Sequence, residues 1–308
     1  MSEFTTYKFI ADDNEDRIDV FLSNVYKEAS RTYLQKLIKD GNISVNGKQI
    51  SKSSYKLKED DEIELKVPEP LPLEILPEDI PLDIIYEDDD FLIVNKPKGM
   101  VVHPAPGHLT GTLVNAILFH CKDKLSGING ILRPGIVHRI DKDTSGSLII
   151  CKNDSSHRFI ADQLKEHSIT RIYQGIVTGH LKDSEGTVDV YIDRDKNDRK
   201  KMAVCDKMHG KHAVTHYKVL ETFDGYDLVE FKLETGRTHQ IRVAMKYLNH
   251  PLLGDYTYGA ANNRFGVEGQ VLHAKTIGFI HPSSKKYVEF EAPLNQEFVK
   301  ILERLRNI

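Results

Sequence analysis

Five of the twelve prolines in this 308-residue chain fall between Pro68 and Pro81. Each removes a backbone donor and holds the residue before it in extended backbone, so neither a helix nor an inner strand can run through the stretch. The chain must therefore fold on either side of it. The pattern predicts a small module over 10–66, a semi-rigid linker over 67–82 and a main domain over 83–308.

The small module has a legible pattern. Arg17-Ile-Asp-Val-Phe-Leu opens an amphipathic helix. Ser30 is placed to cap a second one, Arg31 to Lys39, with Leu34, Leu37 and Ile38 on one face and Gly41 at its end. Ile43 to Val45 reads as a strand before the hairpin turn Asn46-Gly47. Lys56 to Lys58 and Glu62 to Leu65 read as short strands around Asp60-Asp61. Charge here departs from the whole-chain balance of −4. Between 27 and 58, eight basic side chains (Lys27, Arg31, Lys36, Lys39, Lys48, Lys52, Lys56, Lys58) face only Glu28 and Asp40, a net +6. Acids gather on both sides, at Asp12 to Asp19 and at Glu59 to Glu64. A locally basic surface attracts phosphates whatever the global charge, although a solvated face needs no ligand.

The main domain reads as strands with a few helices, an α+β mixture rather than a regular βαβ alternation. Phe91 to Asn95, Leu148 to Cys151, Ile172 to Val177, Thr187 to Ile192, Ala213 to Glu221, Tyr226 to Leu233, Val271 to Ile280 and Tyr287 to Phe290 have strand character. Helices are predicted from a cap at Asp154 or Ser155 to about Lys165, from Thr238 to Leu248, and over 295–306. No apolar run approaches the roughly 18 residues of a membrane span, and the N-terminus lacks a signal-peptide pattern. Three scattered cysteines, Cys121, Cys151 and Cys205, support neither a disulfide framework nor a zinc site. A cytoplasmic protein without a membrane partner is the expectation.

No Gly-x-Gly-x-x-Gly, P-loop, Gly-x-Ser-x-Gly elbow or His-Glu-x-x-His occurs, and no histidine pair has metal-site spacing beside an acid. No cofactor and no metal are therefore expected. Polar residues concentrate instead in four strings. Ile93-Val-Asn-Lys96-Pro97 to His103-Pro104 carries Lys96 and His103 to the rim of a sheet. His138-Arg-Ile-Asp141-Lys-Asp-Thr-Ser-Gly146 sets a carboxylate in a tight polar loop that by itself is an Asp-rich turn. Arg171-Ile-Tyr173 sits on a strand. Leu233-Glu-Thr-Gly236-Arg237-Thr238-His239-Gln240-Ile241-Arg242 ends a strand and opens a basic helix. The segments His250-Pro-Leu-Leu-Gly-Asp255 and Leu272-His273-Ala274 follow. A further basic stretch, Arg194 to Lys201, falls in a loop.

Together these strings resemble the RluA/RluD family of pseudouridine synthases across nearly the whole chain, and the small module resembles the S4 RNA-binding domain. The resemblance implies a pseudouridine synthase fold, with a mixed, mostly antiparallel central sheet flanked by helices behind an S4-like domain. It implies an isomerase that converts uridine to pseudouridine, with Asp141 as the essential carboxylate, Tyr173 as the active-site tyrosine and Arg242 as the partner of Asp141. Arg139 is implied to fill the gap left by an extruded uridine. Leu272 is implied as a pocket wall, and His138 and Thr144 join the substrate-binding set. Asp143 is expected to be a turn residue. Arg31, Lys36 and Lys39 lie where S4 domains meet the RNA backbone. The implied partner is RNA, of the 23S type or a large-subunit precursor, bound by a monomer. A non-catalytic RNA-binding assembly factor on the same fold is the alternative, and a metal-dependent hydrolase using Asp141, Asp143 and histidines is a third reading.

Overall fold

The computed structural model describes residues 4–12, 16–68, 75–104, 109–122, 124–128, 134–259 and 263–307. Pro70 and Pro72 of the linker, Asp13 and Glu15 of the acidic cluster, and His108 lie outside them. The chain divides into two compact units, Met1–Leu73 and Glu74–Ile308. No helix among the described residues is long and apolar enough to cross a membrane.

The first unit packs α1 (Ile18–Val25) and α2 (Arg31–Lys39) on a four-stranded sheet of order β1-β4-β2-β3. Its strands are β1 (Phe4–Ile10), β2 (Ile43–Val45), β3 (Lys48–Gln49) and β4 (Glu62–Pro68). Ser30 caps α2 by accepting the Tyr33 N–H at 3.3 Å. Leu34, Leu37 and Ile38 turn inward against Ile18, Leu22, Ile43 and Leu65. Asn46 and Gly47 both take positive φ, which closes the β2–β3 hairpin as their sequence predicts. The strand expected at Lys56 to Lys58 is absent. Only Lys56 bridges, to Arg17, because the Lys58 N–H is taken by the Asp61 carboxylate at 2.8 Å. β1 escaped the sequence reading because it is mostly exposed and carries little apolar alternation.

The second unit is built on a ten-stranded sheet of order β10-β9-β11-β12-β8-β13-β7-β6-β5, with β14 paired to β13. The strands are β5 (Ile84–Glu87), β6 (Phe91–Lys96), β7 (Ser145–Cys151), β8 (Thr170–Thr178), β9 (Glu185–Arg194), β10 (Met202–Cys205), β11 (Lys211–Phe223), β12 (Tyr226–Leu233), β13 (Leu272–Ile280) and β14 (Tyr287–Glu291). The helices are α3 (Leu113–Cys121), α4 (Asp154–Lys165), α5 (Gln240–Tyr247) and α6 (Gln296–Arg306). All pairings are antiparallel except β7 with β13, so the sheet is mixed and the fold α+β. Phe298, Ile301, Leu302 and Leu305 of α6 recur at helical spacing and are buried against Ile176 and Leu253, each contributing roughly 2 kcal/mol. α4 is capped by Asn153, one residue before the predicted position. Asp154 instead accepts from the Ser126 hydroxyl at 2.7 Å and the Gly127 N–H at 3.0 Å. α3 went unpredicted because Leu113, Val114, Asn115, Ala116 and Ile117 are all buried, leaving no amphipathic stripe.

The candidate active site

Asp141 lies in the loop that leads into β7, where its carbonyl accepts the Thr144 N–H at 3.1 Å and closes a turn. The loop then meets β13 at Gly146. A Cβ there would stand 2.3 Å from the Ala274 carbonyl oxygen, and φ is +113°, so only glycine lets the two parallel strands approach. The Thr144 hydroxyl is buried and accepts from Gln270 Nε2 at 3.0 Å. Lys96, which the sequence placed at a sheet rim, is 1% exposed. Its ammonium donates to the carbonyls of Pro97 and Met100, both at 2.8 Å, and of Lys142 at 3.0 Å. Lys142 neighbours Asp141, so this buried lysine fastens the loop. Burial pushes Lys96 down to about 7, while Asp143 and Asp141 act in the opposite direction.

Arg242, in the first turn of α5, reaches Asp141 with Nη1 at 3.1 Å. The rest of its guanidinium is held by Asp255, with Nε to Oδ2 at 2.7 Å and Nη2 to Oδ1 at 2.9 Å. Asp255 in turn accepts the N–H groups of Thr257 and Tyr258. The Tyr258 ring lies 5.0 Å from the Arg242 guanidinium carbon. Burial works against the Arg242 charge, but the two carboxylates outweigh it and its pKa rises.

The predicted start of α5 near Thr238 shifts to Gln240, because His239 adopts the left-handed region at φ +56°. That turn aims the imidazole at the site, with Nε2 3.8 Å from Asp141 Oδ1. The Tyr258 hydroxyl accepts the Met202 N–H at 2.7 Å and lies 2.8 Å from His239 Nδ1. These two contacts fix the ring's position beside Asp141. Burial lowers the His239 pKa, against Asp141, which raises it.

Tyr173 on β8 and Leu272 at the start of β13 complete one wall. Asp141, Thr144, Tyr173, Arg242, Leu272 and Arg139 line a common cavity. Burial raises the Tyr173 pKa, Arg171 opposes this and Asp141 adds to it, so the phenol is neutral and able to donate. Arg139 is exposed at the mouth, with Nη1 3.2 Å from His103 Nε2. His138 lines an adjoining cavity, but its Nε2 accepts the Ile149 N–H at 3.0 Å and so fastens the loop to β7. Burial and Arg171 push that ring down to about 3. Asp143 faces elsewhere, lining a separate cleft where the Tyr256 hydroxyl approaches it at 3.4 Å.

In the first unit all eight basic residues between 27 and 58 are exposed. Arg31 is also bound to a carboxylate, donating to the fully buried Asp19 at 2.9 Å and 3.1 Å. The group Asp88, Asp90 and His281 could hold a metal by position. Both His281 nitrogens are already engaged, Nε2 with Asp88 at 2.8 Å and Nδ1 by the N–H groups of Ser283 and Ser284. Residues that the sequence reading gave no role are Asp255, His239 and Tyr258. Nothing local marks Asp255 as buried, since its cation, Arg242, lies 13 residues earlier in the chain.

The pocket thus surrounds a carboxylate with fixed donors, in a chain whose stretch 27–58 is locally basic. Residues 90–247 match the profile of the RNA pseudouridylate synthases and residues 16–63 that of the S4 domain, which makes the chain an isomerase acting on RNA. An RNA pseudouridine synthase of Bacillus subtilis (strain 168), YlyB, of uncharacterised function, is 52% identical over 94% of both chains. Ribosomal large subunit pseudouridine synthase D of Zymomonas mobilis is 44% identical over 94% of this chain and 93% of its own. The structure of human RNA pseudouridylate synthase domain containing 4 superposes with a TM-score of 0.57 at 25% identity, covering 73% of this chain and 93% of the human one. The chain belongs to the RNA pseudouridine synthase family.

Proposed function

We propose that Asp141 is the catalytic carboxylate of this isomerase and that its target uridines lie in large-subunit ribosomal RNA. One observation carries the first part. Asp141 faces a cavity while a buried arginine, itself clamped by Asp255, supplies its counter-charge. The reaction breaks the bond between N1 and the sugar, turns the base and joins the sugar to C5; C5 gives up its proton and N1 takes one up. Reactants and product are isomers, so no redox partner or energy source enters. A carboxylate can serve by adding to an electron-poor carbon or by removing a proton. Either role needs it charged and open to substrate, with its position fixed before the base arrives.

The other residues follow from their places. Arg242 holds Asp141, and the His239 ring, whose charge burial disfavours, lies beside it. Tyr173 enters as the protonated phenol, a donor and a flat wall for the base. Leu272 forms the apolar wall. Arg139, exposed at the mouth, takes the stacking position of the extruded uridine. Lys36 and Lys39, exposed in the last turn of α2, meet backbone phosphates without reading sequence. The ribosomal target rests on the relatives from Zymomonas mobilis and Neisseria meningitidis, both named ribosomal large subunit pseudouridine synthase D, at 44% and 42% identity.

Two measurements test this. Asp141→Asn abolishes tritium release from ribosomal RNA carrying 5-tritiated uridine and leaves RNA binding within about twofold; undiminished release would remove Asp141 from the chemistry. A base-resolution pseudouridine map of cells with and without the protein shows sites lost from large-subunit RNA. Loss confined to transfer RNA would redirect the substrate.

A further inference from the structure

The cavity at Asp141 is continuous with a larger cleft of about 510 Å³ that the isomerisation itself leaves unused. The two share Arg139, Asp141, Tyr173, Leu233, Arg237 and His239. Beyond them the cleft is bordered by Lys165 and His167, where α4 ends, and by Arg171 of β8. Four arginine and lysine side chains thus line it against one carboxylate, Asp141, and that carboxylate is already matched by Arg242.

Arg171 is the residue that needs a reason. It is 8% exposed, and among the described residues no carboxylate pairs with it. Its Nη2 donates to the Glu234 carbonyl at 3.0 Å, whereas Nε is buried with no hydrogen-bond partner. A buried guanidinium is costly unless an anion faces it. The guanidinium also packs closely against Gly236. A Cβ on Gly236 would stand 2.5 Å from Arg171 Nη1, so any other residue there would push into the guanidinium. Arg237, which also lines the cleft, is held by donation from Nε to the His212 carbonyl at 2.8 Å.

We propose that this cleft is a phosphate subsite, in which Arg171, with Lys165 and Arg237, receives the backbone phosphate adjoining the target uridine. A base extruded toward Asp141 brings its phosphodiesters to the shared mouth of the two cavities. The planar fork of arginine matches two phosphate oxygens, and a partly dry cleft strengthens the contact. The subsite fixes how far the nucleotide enters before Asp141 acts. It rests on Asp141 being the reacting carboxylate.

The test compares the wild type with Arg171→Met, Arg171→Lys and Lys165→Ala. Binding of oligouridylate is followed against potassium chloride. Losing one phosphate contact lowers the slope of log K against log salt by about 0.7. Arg171→Met and Lys165→Ala each show such a drop, and Arg171→Lys shows less. A short RNA around a uridine that the wild type converts is then made with one neutral methylphosphonate on either side of that uridine. At one of the two positions the wild type loses about tenfold in kcat/KM, and Arg171→Met loses no further. Unchanged salt slopes, or losses that simply add, overturn the subsite while the wild type still turns over. A wild type that converts no uridine in any RNA overturns the Asp141 reading instead. Should Arg171→Met not fold, the exposed Lys165→Ala and the charge-conserving Arg171→Lys decide the question by the same slopes.

Discussion

Each unit of this protein is organised around one buried aspartate that grips arginine, and the two use the grip in opposite senses. In the first unit Asp19 is fully buried, while its partners Arg17 and Arg31 have side chains 47% and 49% exposed. In the second, Asp255 and Arg242 are both buried, at 1% and 7%, and the exposed member is Asp141 at 20%. The first arrangement holds cations at a surface, where they are still hydrated and within reach of phosphates. The second holds a cation inside and leaves a carboxylate facing a cavity. On the proposed function, the anchor with its cation toward water serves binding and the one with its anion toward the cavity serves chemistry.

The sharpest way to break this comparison is to remove each anchor. Asp255→Ala leaves the Arg242 charge buried with Asp141 as its sole carboxylate partner, and the remaining attraction pulls the guanidinium away from its fixed place. A loss of about 3–5 kcal/mol is expected, because a buried guanidinium that loses the carboxylate holding two of its nitrogens has no solvent to retreat to. Turnover falls together with stability, and kcat falls more than KM rises, since Asp141 loses its fixed orientation. Urea unfolding and steady-state kinetics measure both. A variant with normal kcat would show that Arg242 needs no second aspartate.

Acid separates the two units next. All fourteen histidines lie in the second unit, from His103 onward, and the first unit has none. Burial pushes His138 down to about 3 and His273 to about 4, against an ordinary value of 6.5. Between those values the unfolded chain binds protons that the folded one refuses. Their contribution is therefore complete above about pH 6.5 and is lost progressively as pH falls through about 4 for His273 and about 3 for His138. Asp19 behaves differently. Burial raises its pKa, but Gln35, Arg17 and Arg31 outweigh that, so its contribution persists until pH drops below 3.8. Hydrogen exchange read by mass spectrometry at pH 7 and 4.5 will show the second unit loosening while the first stays protected. Equal loosening would mean that the histidines are not the acid-sensitive element.

Much of this was legible beforehand, and the gaps have physical causes. Helices with a one-sided apolar stripe, such as α2 and α6, declare themselves by period, and the Asn46-Gly47 turn by its chemistry. Elements without contrast do not: α3 is buried on most sides, and β1 is exposed along most of its length. At the site, Asp141, Tyr173 and Arg242 stand in strings whose combination is distinctive, and they meet in one cavity. Lys96 was misplaced because a strand-end lysine ordinarily points to water; here three carbonyls of the following loops capture it. Asp255 and Tyr258 act through partners 13 and 19 residues away, on Arg242 and His239. Such return contacts depend on the path of the chain, which local pattern does not carry.

The smallest expected effect belongs to the anchor of the first unit. Asp19→Ala removes the acceptor of five hydrogen bonds, two from Arg17, two from Arg31 and one from Gln35. Its arginines are half exposed, however, and can turn to water once released, so neither is left as a buried ion. The loss is then about 1–3 kcal/mol, the scale of charged hydrogen bonds exchanged for solvent. It is confined to the first unit and leaves kcat unchanged, while KM for RNA rises about twofold as Arg31 loses its fixed direction. Hydrogen exchange localises the loosening to α1 and α2, and steady-state kinetics separates kcat from KM. A fall in kcat matching that of Asp255→Ala would end the distinction between an anchor for binding and an anchor for chemistry. With kcat intact, the exposed cation and the buried one are shown to be two uses of the same pair of residues, set apart by which partner meets the solvent.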